Sequence, residues 1–176
     1  MTEGAGTAAS ARGYLPAAIR AVMRDDVPAL KAVIDGTGLF PSELLDDMLA
    51  GYLGGHGGVD LWLTVDDDGP ERRPVAVAYA APERMTLGTW NLYLIAVHPE
   101  HQSRGVGAAL VRHIEHALTA RGERVLLVET SGLPEFERTR AFYLANGYDE
   151  EARIREFYAA GEDKVVFRKV LTAPAR

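Results

Sequence analysis

The chain has 176 residues, no cysteine and a formal net charge of −6. That length suits one domain with one sizeable core, and the missing cysteine excludes disulfides, cysteine nucleophiles and thiolate metal sites. The acidic balance argues against a general nucleic-acid binder, and no stretch approaches the roughly 18 consecutive apolar residues of a membrane helix.

The first 17 residues, rich in Gly, Ala, Ser and Thr, lack a basic start followed by an apolar run. They read as a mobile tail and not as a secretory signal, so a cytoplasmic location is expected. A single domain is expected over residues 18–172, with a short tail at 173–176. Residues 18–22 are apolar enough for a first strand. Asp25 or Asp26 can cap a helix with Pro28 in its first turn and Gly36 near its end. A second helical stretch begins around Ser42, with Leu44, Leu45, Met48, Leu49, Tyr52 and Leu53 at helical spacing, and the glycines at 54, 55, 57 and 58 end it. Residues 61–65 and 74–81 read as strands turned by an acidic Gly-Pro segment. The run WNLYLIAV at 90–97 is a strand buried on both faces, stopped by His98 and Pro99.

Residues 103–121 carry Val106, Leu110, Ile114, Ala117 and Leu118 on one side of a predicted helix. Residues 125–130 form another buried strand and 137–145 a short helix closed by Asn146 and Gly147. A last strand pair follows at 148–158 and 164–171. The order is strand, two helices, three strands, helix, strand, helix, two strands. This predicts an α/β (α+β) fold: a mixed, mostly antiparallel sheet of six to seven strands flanked by about four helices.

The most informative segment is VHPEHQSRGVGAAL, residues 97–110. A buried strand ends, a polar turn follows, and two glycines open an amphipathic helix. Without side chains at Gly105 and Gly107, backbone N–H groups can close on a bulky anion. The helix N-terminus adds unpaired donors and the positive end of its dipole. A diphosphate fits that arrangement, and Arg104 can add a charge-assisted contact. A P-loop would need Gly-Lys-Ser/Thr, and a dinucleotide fold Gly-x-Gly-x-x-Gly near the first strand. Neither pattern is present.

Gln102, Gly105 and Gly107 match Gln/Arg-x-x-Gly-x-Gly/Ala, and the segment resembles the cofactor motif of the GNAT superfamily of acetyl-CoA-dependent N-acetyltransferases. A second stretch, TRAFYLANGY at 139–148, is similar to that superfamily's later Phe-Tyr helix and Asn-Gly-Tyr turn. The likeness implies a three-layer fold in which the strand at 90–97 splays from that at 125–130. Acetyl-CoA is then the expected cosubstrate. The backbone of Ile95, Ala96 and Val97 would hold its pantetheine arm. Gln102, Ser103, Arg104, Gly105, Val106, Gly107 and Ala108 would hold its diphosphate. Reaction would be direct attack of a primary amine on the thioester.

By the same likeness Tyr143 protonates the departing thiolate. A phenol of pKa ~10 giving its proton to a thiol of pKa ~8.5 costs roughly 2 kcal/mol, which the site can offset. Many relatives place a basic glutamate on the strand at 90–97, but the matching position is Asn91. Glu129 is the expected substitute, directly or through water, with Tyr93 a weaker candidate. Phe136 stands where relatives often have a cofactor-binding asparagine, and Arg138 and Arg140 are near enough in sequence to reach phosphates.

Eight acidic residues and no Lys or Arg lie between positions 35 and 68. This is either a solvated face or a rim that draws a cation. The segment 39–53 corresponds to the one over the acceptor site in GNAT folds. Phe40, Glu43, Asp46 and Asp47 are therefore expected to select a small cationic amine, within a general expectation of a small-molecule or peptide amine substrate. His98, His101, His113 and His116 lack the partners of a metal site, and no metal is expected. No nucleic-acid or membrane partner is expected, and a homodimer through the last strands is compatible with the pattern. The alternative function is a non-catalytic acyl-CoA-binding regulatory module, which would share the glycine cradle.

Overall fold

The computed structural model describes residues 19–56 and 58–171. Ala18, Gly57, Thr172 and the two expected tails lie outside the described residues. In chain order the elements are β1 (Ile19–Ala21), α1 (Val27–Thr37), α2 (Leu44–Leu53), β2 (Leu61–Asp66), β3 (Pro74–Pro82) and β4 (Thr89–Val97). Then come α3 (Val106–Ala120), β5 (Val125–Ser131), α4 (Glu137–Ala145), β6 (Asp149–Ala159) and β7 (Glu162–Val170). The seven strands form one sheet in the order β1-β2-β3-β4-β5-β7-β6. Only β4 and β5 run parallel; every other neighbouring pair is antiparallel.

Strand alternation divides the core between two faces. On one face Leu63, Val65, Ala76, Ala78, Ala80, Trp90, Leu92, Leu126, Val128 and Phe167 pack with Leu110, Ile114 and Leu118 of α3 and with Tyr143 of α4. The alanines of β3 let α3 lie close to the sheet centre. On the other face Trp62, Val77, Leu94 and Ala96 pack with Leu30, Val33, Ile34, Leu45 and Leu49 of α1 and α2. Burial of such side chains contributes about 1.5–3 kcal/mol each and drives the three-layer arrangement.

Two local readings change. Asp26 stands at the N-cap of α1 but makes no side-chain cap bond. Its carboxylate instead accepts the Met23 N–H at 2.7 Å and two Arg20 bonds at 2.7 and 2.8 Å, and Arg20 also reaches Asp66. A charge-assisted network tying β1 to β2 outcompetes the local cap. Gly36 lies near the end of α1 as expected, and the helix stops at Gly38, whose φ of 65° needs glycine. The helix expected to begin at Ser103 begins at Val106, because Ser103 and Gly105 have φ of 60° and 83°.

The sheet opens in its middle. β4 pairs with β5 only from Thr89–Leu92 against Val125–Val128. At the same place β4 carries a bulge: Leu92 opposes Ala80 and Leu94 opposes Tyr79, so Tyr93 is the extra residue. A bulge bends its strand and increases the local twist, and β4 leaves β5 beyond it.

Candidate active site

The opening between β4 and β5 becomes a cleft of about 410 Å³ on the α3/α4 face. Ile95 and Val97, the turn at 101–103, Gly105 to Ala108 and residues Arg138, Thr139, Phe142, Tyr143 and Asn146 line it. The His98 N–H donates to the Val75 carbonyl across β3 at 2.8 Å. By strand alternation Ala96 also points its backbone at β3, opposite Val77, while the backbones of Ile95 and Val97 face the opening. Ile95 and Val97 are therefore where the sequence placed them. Ala96 is not brought to the cleft: its backbone pairs with β3 and its side chain lies in the α1/α2 core.

The turn leading into α3 is a nest of backbone donors. The first helical bond runs from the Ala109 N–H to the Gly105 carbonyl at 2.9 Å. The N–H groups of Gly105, Val106, Gly107 and Ala108 therefore have no carbonyl of their own in the helix. No acidic residue occupies this first turn, so its dipole is uncompensated toward an anion. The Gln102 side-chain amide donates to the Val97 carbonyl at 3.0 Å and fixes the turn to the strand end. A Cβ on Gly107 would stand 3.6 Å from Phe142 Cζ and 3.7 Å from Val97 Cγ2, inside the cleft.

Arg138 Nη2 donates to Ser103 Oγ at 2.6 Å, so α4 brings a guanidinium to the cradle from the opposite wall. Arg140 instead donates to the Ser131 and Leu133 carbonyls at 2.8 Å each and is structural. Arg104 is exposed and does not line the cleft. His101, which sequence reasoning considered only as a metal ligand, lines it, and its enclosed Nδ1 has no partner. A backbone nest, a cation and an unpaired imidazole nitrogen fit a diphosphate, and the narrow apolar channel past Gly107, Phe142 and Ile95 fits a thin flexible arm.

Tyr143 is 2% exposed and its ring packs against Phe142, Tyr148 and Phe167. The residue lines the cleft, and its hydroxyl makes no hydrogen bond among the described residues. Burial pushes its pKa well above the ordinary phenol value, so the side chain stays neutral. It acts best as a hydrogen-bond donor toward charge that develops beside it. Behind it the end of α4 is pinned. The Tyr148 N–H donates to the Tyr143 carbonyl at 3.1 Å and Lys169 Nζ to the Asn146 carbonyl at 2.8 Å. Lys169 and the Tyr148 hydroxyl also hold Glu115 of α3, at 2.9 and 3.0 Å.

On the far face of the opening stand Tyr93 of β4 and Glu129 of β5. Glu129 Oε2 accepts from Lys164 Nζ at 3.0 Å, and that ammonium lies 3.7 Å from the Phe157 ring centroid. The expected base is thus engaged by a cation of the same protein. Asn91 is 1% exposed and donates to Glu83 Oε1 at 3.0 Å. The Tyr93 hydroxyl also donates to Glu83 Oε1, at 3.0 Å. Partial burial, then this bond and the charges of Glu83 and Glu129, hold the Tyr93 phenol above its usual pKa. Sequence reasoning missed Glu83. Its signal was only an acidic residue just past the end of β3, in the hairpin that leads into β4.

Phe40 is half-buried against the α1/α2 core. Glu43 and Asp47 are exposed, whereas Asp46 pairs with Lys31 at 2.5 Å on the outer side of the helix pair. A larger depression of about 510 Å³ lies at the other end of β4, lined by residues including Pro82, Leu87, Trp90 and Arg121. Arg121 crosses it, donating to the Val59 carbonyl at 3.2 Å and lying 5.5 Å from the Trp90 ring centroid. Among the described residues no group of three or more His, Asp or Glu is placed to hold a metal ion, and no helix is long and apolar enough to cross a membrane.

A parallel pair that parts beside a backbone nest and a buried tyrosine defines the class as an acyl-coenzyme A transferase fold. Residues 58–150 match the family described as the acetyltransferase (GNAT) domain. A GNAT-family protein of known structure from Desulfovibrio desulfuricans is 30% identical, with a TM-score of 0.81 over 88% of this chain and 99% of that one. Two more distant structures share the fold. The ribosomal-protein-S18-alanine N-acetyltransferase of Escherichia coli is 22% identical, with a TM-score of 0.70 over 90% of this chain and 96% of that one. A phosphinothricin acetyltransferase from Sinorhizobium meliloti in complex with AcCoA is 17% identical, with a TM-score of 0.71 over 90% of each chain. The sequence has no match among curated proteins. The chain belongs to the GNAT acetyltransferases and is an N-acetyltransferase of that type.

Proposed function

We propose that the protein transfers an acetyl group from acetyl-CoA to the primary amine of a small cationic acceptor, by direct attack. The observation that carries this reading is the continuous path from the N–H nest at Gly105 to Ala108, past Ile95 and Val97, to Tyr143. Acetyl-CoA supplies the activated acyl group as a thioester. The chain's residues do the rest. The nest and Arg138 hold phosphate charge, and the backbone of Ile95 with the N–H of Val97, whose carbonyl is held by Gln102, pairs with an extended arm as an added strand. Tyr143 offers its proton where the sulfur leaves. The complex of the phosphinothricin acetyltransferase with AcCoA supports the cofactor, although the fold alone selects no acceptor.

A cationic acceptor is supported by the acidic region between positions 35 and 68, where Glu43 and Asp47 stay exposed. Such a field raises the local concentration of a cation. A cytoplasmic location belongs to the same reading. So does association of two copies through β6, an edge strand exposed along its length. The test is calorimetric titration with acetyl-CoA followed by turnover with a panel of primary amines. Binding with turnover supports the transferase. Binding without turnover of any amine would instead leave a coenzyme-binding module, and no binding would remove both.

A further inference from the structure

The face of the sheet opposite the cleft carries a second constellation where β4 and β5 part. Leu92 and Val128 are the last paired residues, and the next residue on each strand, Tyr93 and Glu129, turns to the α1/α2 face. Tyr93 is 52% exposed, so this end of the face is open. It continues as an aromatic row: Tyr93 stacks on Tyr79 at 5.6 Å and Tyr79 on Trp62 at 4.2 Å. Tyr79 also donates to Asp60 at 3.1 Å.

Two carboxylates border the opening here, and their surroundings differ. Glu129 is satisfied by the ammonium of Lys164. Glu83 is half-buried, and its side-chain contacts are the neutral donors Asn91 and Tyr93, both on Oε1, which leaves Oε2 free. Among the described residues it takes part in no ion pair. The backbone is fixed, since the Glu83 N–H donates to the Thr89 carbonyl at 2.9 Å. Asn91 adds an independent sign. Turning its amide nitrogen to Glu83 leaves its enclosed Oδ1 with no donor, a costly state for a buried acceptor. A carboxylate with a free oxygen, a buried carbonyl lacking a donor and flanking π faces together suit an ammonium.

Resting on the acetyl-transfer reading, we propose that Glu83 receives the ammonium of the acceptor amine and takes its proton, with Asn91 and Tyr93 as positioning residues. The acceptor reaches the opening from the α1/α2 face, opposite the coenzyme. The nitrogen gives one proton to Glu83, which passes it to solvent. Its freed lone pair then forms the C–N bond as the thioester C–S bond breaks. The sulfur takes a proton from Tyr143, the nitrogen releases its second proton to solvent, and Tyr143 regains one from solvent as the products leave, so the protons balance. Tyr93 meets Glu83 directly, and through Tyr93 the titratable neighbours are Tyr79, which stacks on it, Asp60, which accepts from Tyr79, and the charge of Glu129.

The experiment compares the wild type with Glu83→Gln, Glu83→Asp, Tyr93→Phe and Glu129→Gln. Binding of 1,5-diaminopentane to the protein without coenzyme is measured by calorimetry, and acetyl transfer to the same amine is followed from pH 7 to 9. Glu83→Gln is expected to weaken amine binding at least tenfold and to lower kcat/KM about 100-fold at pH 7. Its acetyl-CoA affinity stays within twofold. The deficit narrows about tenfold per pH unit, because the medium then deprotonates an amine of pKa ~10.4. Glu83→Asp recovers part of the loss and Tyr93→Phe loses three- to tenfold.

Amine binding and kcat/KM within twofold of wild type in Glu83→Gln would overturn the proposal. So would a loss that stays flat with pH, or a loss seen in Glu129→Gln and not in Glu83→Gln. A wild type that binds acetyl-CoA but not the diamine overturns this inference alone. A wild type that binds no acetyl-CoA overturns the acetyl-transfer reading beneath it.

Discussion

Gly36 lies directly against Pro99: a Cβ built at position 36 would stand 3.0 Å from Pro99 Cδ and 3.5 Å from His98 Cδ2. A glycine within a helix costs up to about 1 kcal/mol relative to alanine, and close approach is what α1 gains from it. The ring it touches begins the 3-10 turn Pro99–His101, which delivers Gln102 to the Val97 carbonyl and Ser103 to Arg138. Gly36→Ala is expected to push that turn by a few tenths of an ångström. Acetyl-CoA affinity should fall three- to tenfold while the melting temperature moves by no more than about 3 °C, since helix propensity offsets the crowding. Unchanged affinity in calorimetry would show that α1 does not set the cradle.

The two cradle glycines serve different ends, and substitution separates them. Gly105 has a φ of 83° with open space where a Cβ would go. Gly105→Ala therefore costs about 1–2 kcal/mol of backbone strain and should lower the melting temperature by roughly 3–8 °C. Gly107 has ordinary helical geometry but faces Phe142 and Val97 across the channel. Gly107→Val is expected to leave the melting temperature within about 3 °C and to weaken acetyl-CoA binding by about 100-fold or more. Equal affinity loss in both variants would sink this division of labour.

Lys164 is held by Glu129 and the Phe157 ring, with its side chain 10% exposed. Glu129→Gln leaves that ammonium without its counter-charge, at a cost of about 1–3 kcal/mol. The expected signature is a melting temperature lower by roughly 2–9 °C with acetyl transfer retained within about threefold. A hundredfold loss of turnover at unchanged stability would restore Glu129 as the base.

Apolar periodicity and glycine placement made much of the architecture legible: the order of elements along the chain, the four helices and the Gly-x-Gly turn. Ile95 and Val97 were readable through the resemblance, which points to the strand end just before the matched turn. Ala96 was misplaced because a neighbour in sequence alternates to the other side of the strand, and which side faces the opening depends on the register with β3. Glu83 was hidden for the same reason. It meets Asn91 and Tyr93 only through the β3–β4 pairing and the Tyr93 bulge, and nothing local marks a bulge in an apolar run.

Tyr143 gives a prediction with two independent readouts. Removing the hydroxyl in Tyr143→Phe takes away the donor at the leaving sulfur, so kcat should fall 10- to 100-fold with acetyl-CoA affinity unchanged. The second readout is stability. Burial raises the Tyr143 pKa above the value of ~10 it has when unfolded. Below pH ~10 both states hold the proton and stability is at its full value. Above it the unfolded chain loses the proton first, so stability falls as pH climbs toward the folded value, by up to about 1.4 kcal/mol per pH unit from this group. Urea unfolding at pH 9, 10 and 11 should therefore show a shallower alkaline decline in Tyr143→Phe than in the wild type. Parallel declines would mean that Tyr143 opens to solvent in the native state, and its role as a neutral donor in a dry cleft would fail with it.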